Sequence, residues 1–247
     1  MFRLSIDEYT LELVDTSLIG VGLYSVPEAA RLIHAPTAQL HRWMFGYLRK
    51  SKDGKPNDAK PVTGGHLAFD DFRALSFFDL LEARLIKELR DMRISLQSIR
   101  IAADNARTLY GNAANPFVFR RIRTDGQSIF AEAARDSGDE ELLDLVRRQQ
   151  VFKSIIERTL IRDVELGTEG IAARWYPLQG TKVVVVDPAR SFGKPIINGS
   201  GVRTWTLYSA YLAEDKNESK VARTYRVSPS AVRQAVRFET SLAHGNF

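Results

Sequence analysis

The chain has no cysteine, which rules out disulfides, thiolate zinc sites and cysteine nucleophiles. Only four histidines occur, at positions 34, 41, 66 and 244, and their scatter gives no metal-ligand spacing. No stretch approaches the roughly 18 consecutive apolar residues that a membrane-spanning helix needs. The first twenty residues carry Arg3 against Asp7, Glu8, Glu12 and Asp15, too acidic for a secretory or transit peptide. A cytoplasmic protein with no membrane partner is therefore expected. At 44% hydrophobic and 26% charged residues, the 247-residue chain has ample material for a buried core.

The formal charge is +5, and its distribution is more telling than its size. Residues 21–66 hold seven basic side chains against three acidic, and residues 180–247 hold ten against five, whereas the segment between them is close to neutral. Each basic segment also carries a helix-turn-helix pattern, so positive charge collects where phosphates would be met.

In the first pattern, Ser25 is an N-cap with Pro27 and Glu28 in the opening turn, a capping-box arrangement. A break at His34 to Pro36 precedes a second helix from Thr37, with Leu40 and Trp43 facing inward. A recognition helix lies in the major groove with its outward side chains at base edges, which here singles out Thr37, Gln39, His41 and Arg42. Asp53-Gly54 then marks the turn of a short basic hairpin, a wing whose Arg49, Lys50, Lys52 and Lys55 suit phosphates or the minor groove. A helical hairpin inside an ordinary core is the competing reading of this segment.

The second pattern runs from Ser219 to Tyr225, turns at Arg226-Val227, and reopens at Ser228-Pro229. Arg233 and Arg237, four residues apart, share a helix face with Gln234 adjacent, and all three are candidate DNA contacts. Trihelical modules of this kind also dock proteins, so both roles stay open.

Between these ends the periodicity predicts helices over 69–92, 95–110 and 142–164, a β-hairpin across 117–131 turning at Asp125-Gly126, and strands over 172–178 and 182–187. Three helices follow, over 205–213, 218–225 and 229–242. The expected fold is α+β and mostly α. A winged helix-turn-helix occupies 1–66, a helical and β-hairpin dimerisation region 67–180, and a trihelical, helix-turn-helix-like module 181–247. The stripe within 142–164 is the candidate surface for a homodimer, since an operator with two-fold symmetry calls for a two-fold protein.

Enzymatic patterns fail. Gly193-Lys194 has the look of a phosphate-binding loop, but Pro188 stands where the first glycine belongs and Pro195 where a serine or threonine is required. The adjacent acids at 70–71 and 139–141 sit near helix starts, where they favour the macrodipole. No catalytic residue, metal site or cofactor is expected.

The run Tyr24-Ser25-Val26-Pro27-Glu28-Ala29-Ala30-Arg31-Leu32, continued by Leu40-His41-Arg42-Trp43, resembles the N-terminal winged helix of MerR-like regulators. Phe78-Asp79-Leu80-Leu81-Glu82 and the segment from Leu89 to Arg100 resemble the helices that follow that wing. The tail, with Val185-Val186-Asp187-Pro188, Phe192-Gly193-Lys194-Pro195, Gly199-Ser200-Gly201-Val202 and Val221-Ala222-Arg223-Thr224-Tyr225, is similar to small antitoxin domains of VapB type. Such domains usually read Gly-Thr-Arg where this chain has Gly199-Ser200-Gly201, so an arginine of the pattern is absent. The joined resemblance implies an antitoxin of a type II toxin–antitoxin pair. It would bind a PIN-like ribonuclease toxin, repress the shared operon at its operator DNA, and form a homodimer or a hetero-oligomer with the toxin. The resemblance does not say which residues would bind the toxin. A MerR-like, ligand-responsive regulator without a toxin partner is the alternative.

Overall fold

The computed structural model describes residues 20–50, 56–63, 67–68, 73–111, 113–118, 122–167 and 170–243. The architecture is mostly helical with small antiparallel sheets. The chain opens with β1 (Tyr24–Ser25), α1 (Val26–Ile33) and α2 (Thr37–Phe45), followed by the hairpin of β2 (Tyr47–Lys50) and β3 (Pro56–Ala59). Strands β4 (Leu67–Ala68) and β5 (Arg73–Leu75) return to the start of the chain, where β5 pairs with β1 in the register Tyr24↔Leu75. Helices α3 (Phe77–Asp91) and α4 (Leu96–Leu109) then lead through a 3-10 turn at Pro116–Val118 to α5 (Ile122–Ser137), α6 (Glu140–Arg147) and α7 (Gln149–Leu160). The hairpin of β6 (Val164–Leu166) and β7 (Ala172–Trp175) bridges through Trp175↔Val186 to a second hairpin, β8 (Val184–Val185) with β9 (Ile196–Ile197). The chain closes with α8 (Thr204–Ala213), α9 (Glu218–Tyr225) and α10 (Pro229–Ala243). Among the described residues no helix is long and apolar enough to cross a membrane.

Three sequence expectations for the middle of the chain are corrected. The segment 117–131 is a 3-10 turn and helix α5, not a β-hairpin. Ile122, Gly126, Ile129, Phe130, Ala133 and Ala134 are buried at 3.6-residue spacing, and that long stripe outweighs the short alternation before it. Gly126 is absorbed into the first turns instead of ending them. The long helix expected over 142–164 is two helices broken at Arg148, and Val164 already belongs to a strand. A continuous stripe after Leu142, Leu145 and Val146 would need apolar residues near 149 and 150, where two exposed glutamines stand; burial resumes at Phe152. The buried side chains of α6 and α7 are spent inside the protomer core, so the stripe offered for dimerisation faces inward. Finally, the helix expected from Phe69 begins at Phe77, where Ser76 and Asp79 form a full capping box and Arg73–Leu75 are drawn into the sheet.

Beside a small second cluster of Tyr176, Val185 and Ile196, the main apolar core of the described residues runs from α1 through α3, α5 and α7 to α10. Inside it α3 carries two buried acids. Glu82 accepts from the backbone N–H of Phe117 at 2.8 Å, and Asn115 donates to both Asp79 (2.9 Å) and Glu82 (3.0 Å). Burial, with Asp79 adding to it, pushes the Glu82 carboxyl up to about 8.

Candidate nucleic-acid interface

Both helix-turn-helices form, and they turn in the same way. Helix α1 ends on His34 at φ 54°, ψ 47°, and α9 ends on Arg226 at φ 54°, ψ 43°; each is a left-handed residue that is not glycine. In each case the capping N–H reaches back to the last helical turn, and the next N–H closes on an alanine, Ala35 on Ala30 at 2.9 Å and Val227 on Ala222 at 3.0 Å. The second helix starts three residues after the left-handed one, at Thr37 and at Pro229. Such conformations cost of order 1 kcal/mol for a residue with a side chain, and the paired hydrogen bonds offset it.

In the N-terminal copy, Ser25 Oγ accepts from the Glu28 N–H at 3.4 Å, the first half of the expected capping box. The second half is missing, because the Glu28 carboxylate pairs with Lys194 from the tail instead. Along α2, Leu40, Trp43 and Met44 are buried, and Thr37, Gln39, His41 and Arg42 all lie on the exposed side. His41 packs against Phe45 with ring centroids 5.2 Å apart, and the Arg42 guanidinium sits 5.9 Å from the Tyr47 ring. Arg73, which sequence reasoning passed over, lies 5.4 Å above Phe45 at the end of the same helix. These aromatic contacts orient the two cations without neutralising them.

The expected wing is present as the β2–β3 hairpin in the register Arg49↔Asn57 and Lys50↔Pro56, which places Arg49 and Lys50 on its first strand. Lys52 and Lys55 lie outside the described residues. The strand's return is anchored to the helix by Val62 N–H donating to the Trp43 carbonyl at 2.8 Å.

In the C-terminal copy, Asn217 caps α9 and Ser228 caps α10, accepting from Lys220 N–H at 3.0 Å and Ala231 N–H at 3.1 Å. The three candidate contacts separate. Arg237 is exposed and, among the described residues, makes no ion pair. Arg233 is committed to Glu218 of α9 through two hydrogen bonds, 3.1 Å from Nε and 2.7 Å from Nη2, a brace between the helices. Gln234 turns partly inward, with its Oε1 buried. Arg42, like Arg237, is unpaired by any carboxylate among the described residues.

The tail does not hang free of the first helix-turn-helix. Tyr24 Oη donates to the Gly193 carbonyl at 2.8 Å, Leu23 N–H to the Phe192 carbonyl at 3.0 Å, and Lys194 Nζ to the Leu23 carbonyl at 2.9 Å. Arg31 of α1 lies 6.0 Å from the Trp205 ring of α8. The Gly193-Lys194 pair thus has a structural task, tying the two halves together. Nothing in the local sequence signals it, since the partners are some 170 residues apart.

Comparison with known proteins follows the same division. Residues 22–103 match a family described as "Putative DNA-binding HTH domain", and residues 184–238 match a family described as "Protein of unknown function (DUF433)". The chain is 29% identical over 232 residues to a Mycobacterium tuberculosis protein named "Putative antitoxin VapB45", covering 87% of this chain and 93% of that one. The crystal structure of Rv2018 from Mycobacterium tuberculosis superposes with a TM-score of 0.66 at 27% identity, covering 88% of this chain and 99% of the other. The chain is thus similar over most of its length to a protein named as a putative antitoxin, and its N-terminal part is similar to a putative DNA-binding helix-turn-helix domain. The first match takes in the N-terminal basic segment and continues through α3 into α4, and the second lies within the basic tail.

Proposed function

We propose that this protein is a cytoplasmic antitoxin that binds and inhibits a PIN-like ribonuclease and represses the operon encoding both by binding its operator. In this reading residues 1–66 are a MerR-like winged helix-turn-helix, 67–180 the joining region, and 181–247 the small antitoxin module. Its work is binding, with no turnover of its own. Thr37, Gln39, His41 and Arg42 face base edges, and Arg49, Lys50, Lys52 and Lys55 follow phosphates. Arg237, with Arg233 and Gln234 behind it, is the contact offered by the second copy.

The observation that carries the DNA half is the outward strip of α2, where Arg42 stands exposed and unpaired. Arginine in that position can fork onto guanine. The toxin half draws support from the relative's name and from the tail's surface. Phe192, Trp205 and Leu212 are 59%, 55% and 51% exposed, an apolar display more suited to a protein partner than to phosphates. Two-fold operators favour a homodimer, or a hetero-oligomer with the toxin that supplies the same symmetry.

The test is coexpression of the full chain with the product of the adjacent gene. A stable complex in which ribonuclease activity is suppressed is expected, and separate elution with undiminished RNA cleavage would contradict the toxin half.

A further inference from the structure

Helix α8 carries more apolar surface than its neighbours cover. No charged residue stands between Thr204 and Ala213, yet only Thr204 and Leu207 of its ten residues are buried. A helix apolar on several faces is ordinarily covered on several sides. Trp205 and Leu212, two turns apart, are 55% and 51% exposed, and the Tyr208 ring between them lies 5.7 Å from that of Trp205. Phe192, 59% exposed, extends this display at the start of the helix, where Pro195 accepts from the Thr204 N–H at 3.0 Å.

The display begins where the described chain begins. Leu23, just after Gly20, donates its N–H to the Phe192 carbonyl at 3.0 Å. From there Glu28 and Arg31, on one side of α1, meet Lys194 and then Trp205. A strip therefore leads past Phe192 to Trp205, Tyr208 and Leu212. Its charge is one-sided. Glu28 is taken by Lys194, and Glu239 is buried and accepts from the Thr204 hydroxyl at 2.5 Å. Arg31 and Arg203 are exposed and, among the described residues, make no ion pair.

Residues 1–19 lie outside the described residues, and their sequence has the complementary pattern. Phe2, Leu4 and Ile6, then Tyr9, Leu11 and Leu13, alternate with polar residues. Asp7, Glu8, Glu12 and Asp15 stand against a single basic side chain, Arg3. We propose that this segment docks on the strip, its apolar residues against Phe192, Trp205 and Leu212 and its acids toward Arg31 and Arg203. At roughly 3.3 Å per residue it reaches roughly 60 Å, against roughly 15 Å for the length of α8. A tethered occupant also acts at an effective concentration of about 1 mM. A second copy would bring the same cations to the contact, like against like, and α8 itself offers no cation to a phosphate. A protein partner that uses this face has to displace the segment, which makes residues 1–19 its competitor. The inference concerns the free chain and does not rest on the toxin reading; its failure would leave the face open to such a partner.

Acrylamide quenching of tryptophan fluorescence in the full chain tests it. Trp43 and Trp175 are both 4% exposed, so a collisional quencher separates Trp205 from them. With the segment docked, the parent should quench little more than Trp205→Phe, at every protein concentration. Leu11→Asp combined with Leu13→Asp should raise the parent's Stern–Volmer slope several-fold while the far-UV circular dichroism holds. Should that variant fail to fold, Glu8→Lys combined with Glu12→Lys is read for the same rise. The proposal is overturned if the parent quenches like an open indole, or if the folded segment variant keeps the parent's slope. Protection lost on dilution would overturn it too, since a second copy would then be the cover.

Discussion

Replacing Gly193 with alanine should loosen the joint between the tail and the first helix-turn-helix, and the structure says by how much. Gly193 sits at φ +77°, and a Cβ there would come within 2.2 Å of Tyr24 Oη, 2.9 Å of Tyr24 Cζ and 3.3 Å of Gly22 Cα. The left-handed backbone costs about 1–2 kcal/mol for alanine. The overlap with a fully buried tyrosine, 0% exposed, adds about 1–3 kcal/mol. Displacing the hydroxyl also breaks the Tyr24–Gly193 hydrogen bond, worth about 1 kcal/mol. The sum is about 4 kcal/mol. Tyr24→Phe alone removes only the hydrogen bond, for about 1 kcal/mol. With the hydroxyl gone, the shortest of those contacts disappears too, so Gly193→Ala should cost less in the Tyr24→Phe background than in the parent, by about 1–2 kcal/mol. Urea unfolding followed by far-UV circular dichroism reads all four proteins of this cycle. Strict additivity, or a single-mutant loss below about 1 kcal/mol, would show that this contact does not hold the two halves together.

Two further outcomes follow from the buried and braced groups. The Glu82 carboxyl rises to about 8 in the folded protein from an ordinary value near 4.5, so the folded state keeps a proton that the unfolded chain loses. Its contribution to stability is complete below about 4.5 and fades as pH climbs to about 8; Glu82→Gln should flatten that decline in pH-dependent urea melts, and an unchanged slope would exclude Glu82 as its source. On the DNA side, Arg237→Ala should weaken duplex binding more than Arg233→Ala, because the Arg233 fork is already occupied by Glu218. Equal losses in fluorescence anisotropy would mean that the brace opens on DNA.

Local signals carried far. Ser25, Ser95 and Ser228 cap helices where the sequence places helix starts, and the last three helices fall within a residue or so of their expected limits. The outward strip of α2 was legible because Leu40 and Trp43 set its phase. What sequence could not reveal is of two kinds. Around Phe117 to Gly126 a short alternating run and a glycine mimic a hairpin, and only the longer stripe ending at Ala134, once packed, decides for helix. The other kind is long-range pairing. Arg233 looked outward by spacing alone, yet Glu218 fifteen residues earlier captures it, and Lys194 finds Glu28 across 166 residues. No local pattern encodes either partnership.

Binding of the full chain to duplex from its own promoter, followed by anisotropy across a series of salt concentrations, with Arg42→Ala beside the parent, bears most directly on the nucleic-acid reading. The parent's log affinity should fall linearly with log salt, at roughly 0.9 per phosphate neutralised. Loss of Arg42 should cost about 1–3 kcal/mol, felt on promoter sequence more than on random duplex. Affinity indifferent to salt, or an Arg42→Ala protein that binds and discriminates like its parent, would contradict it.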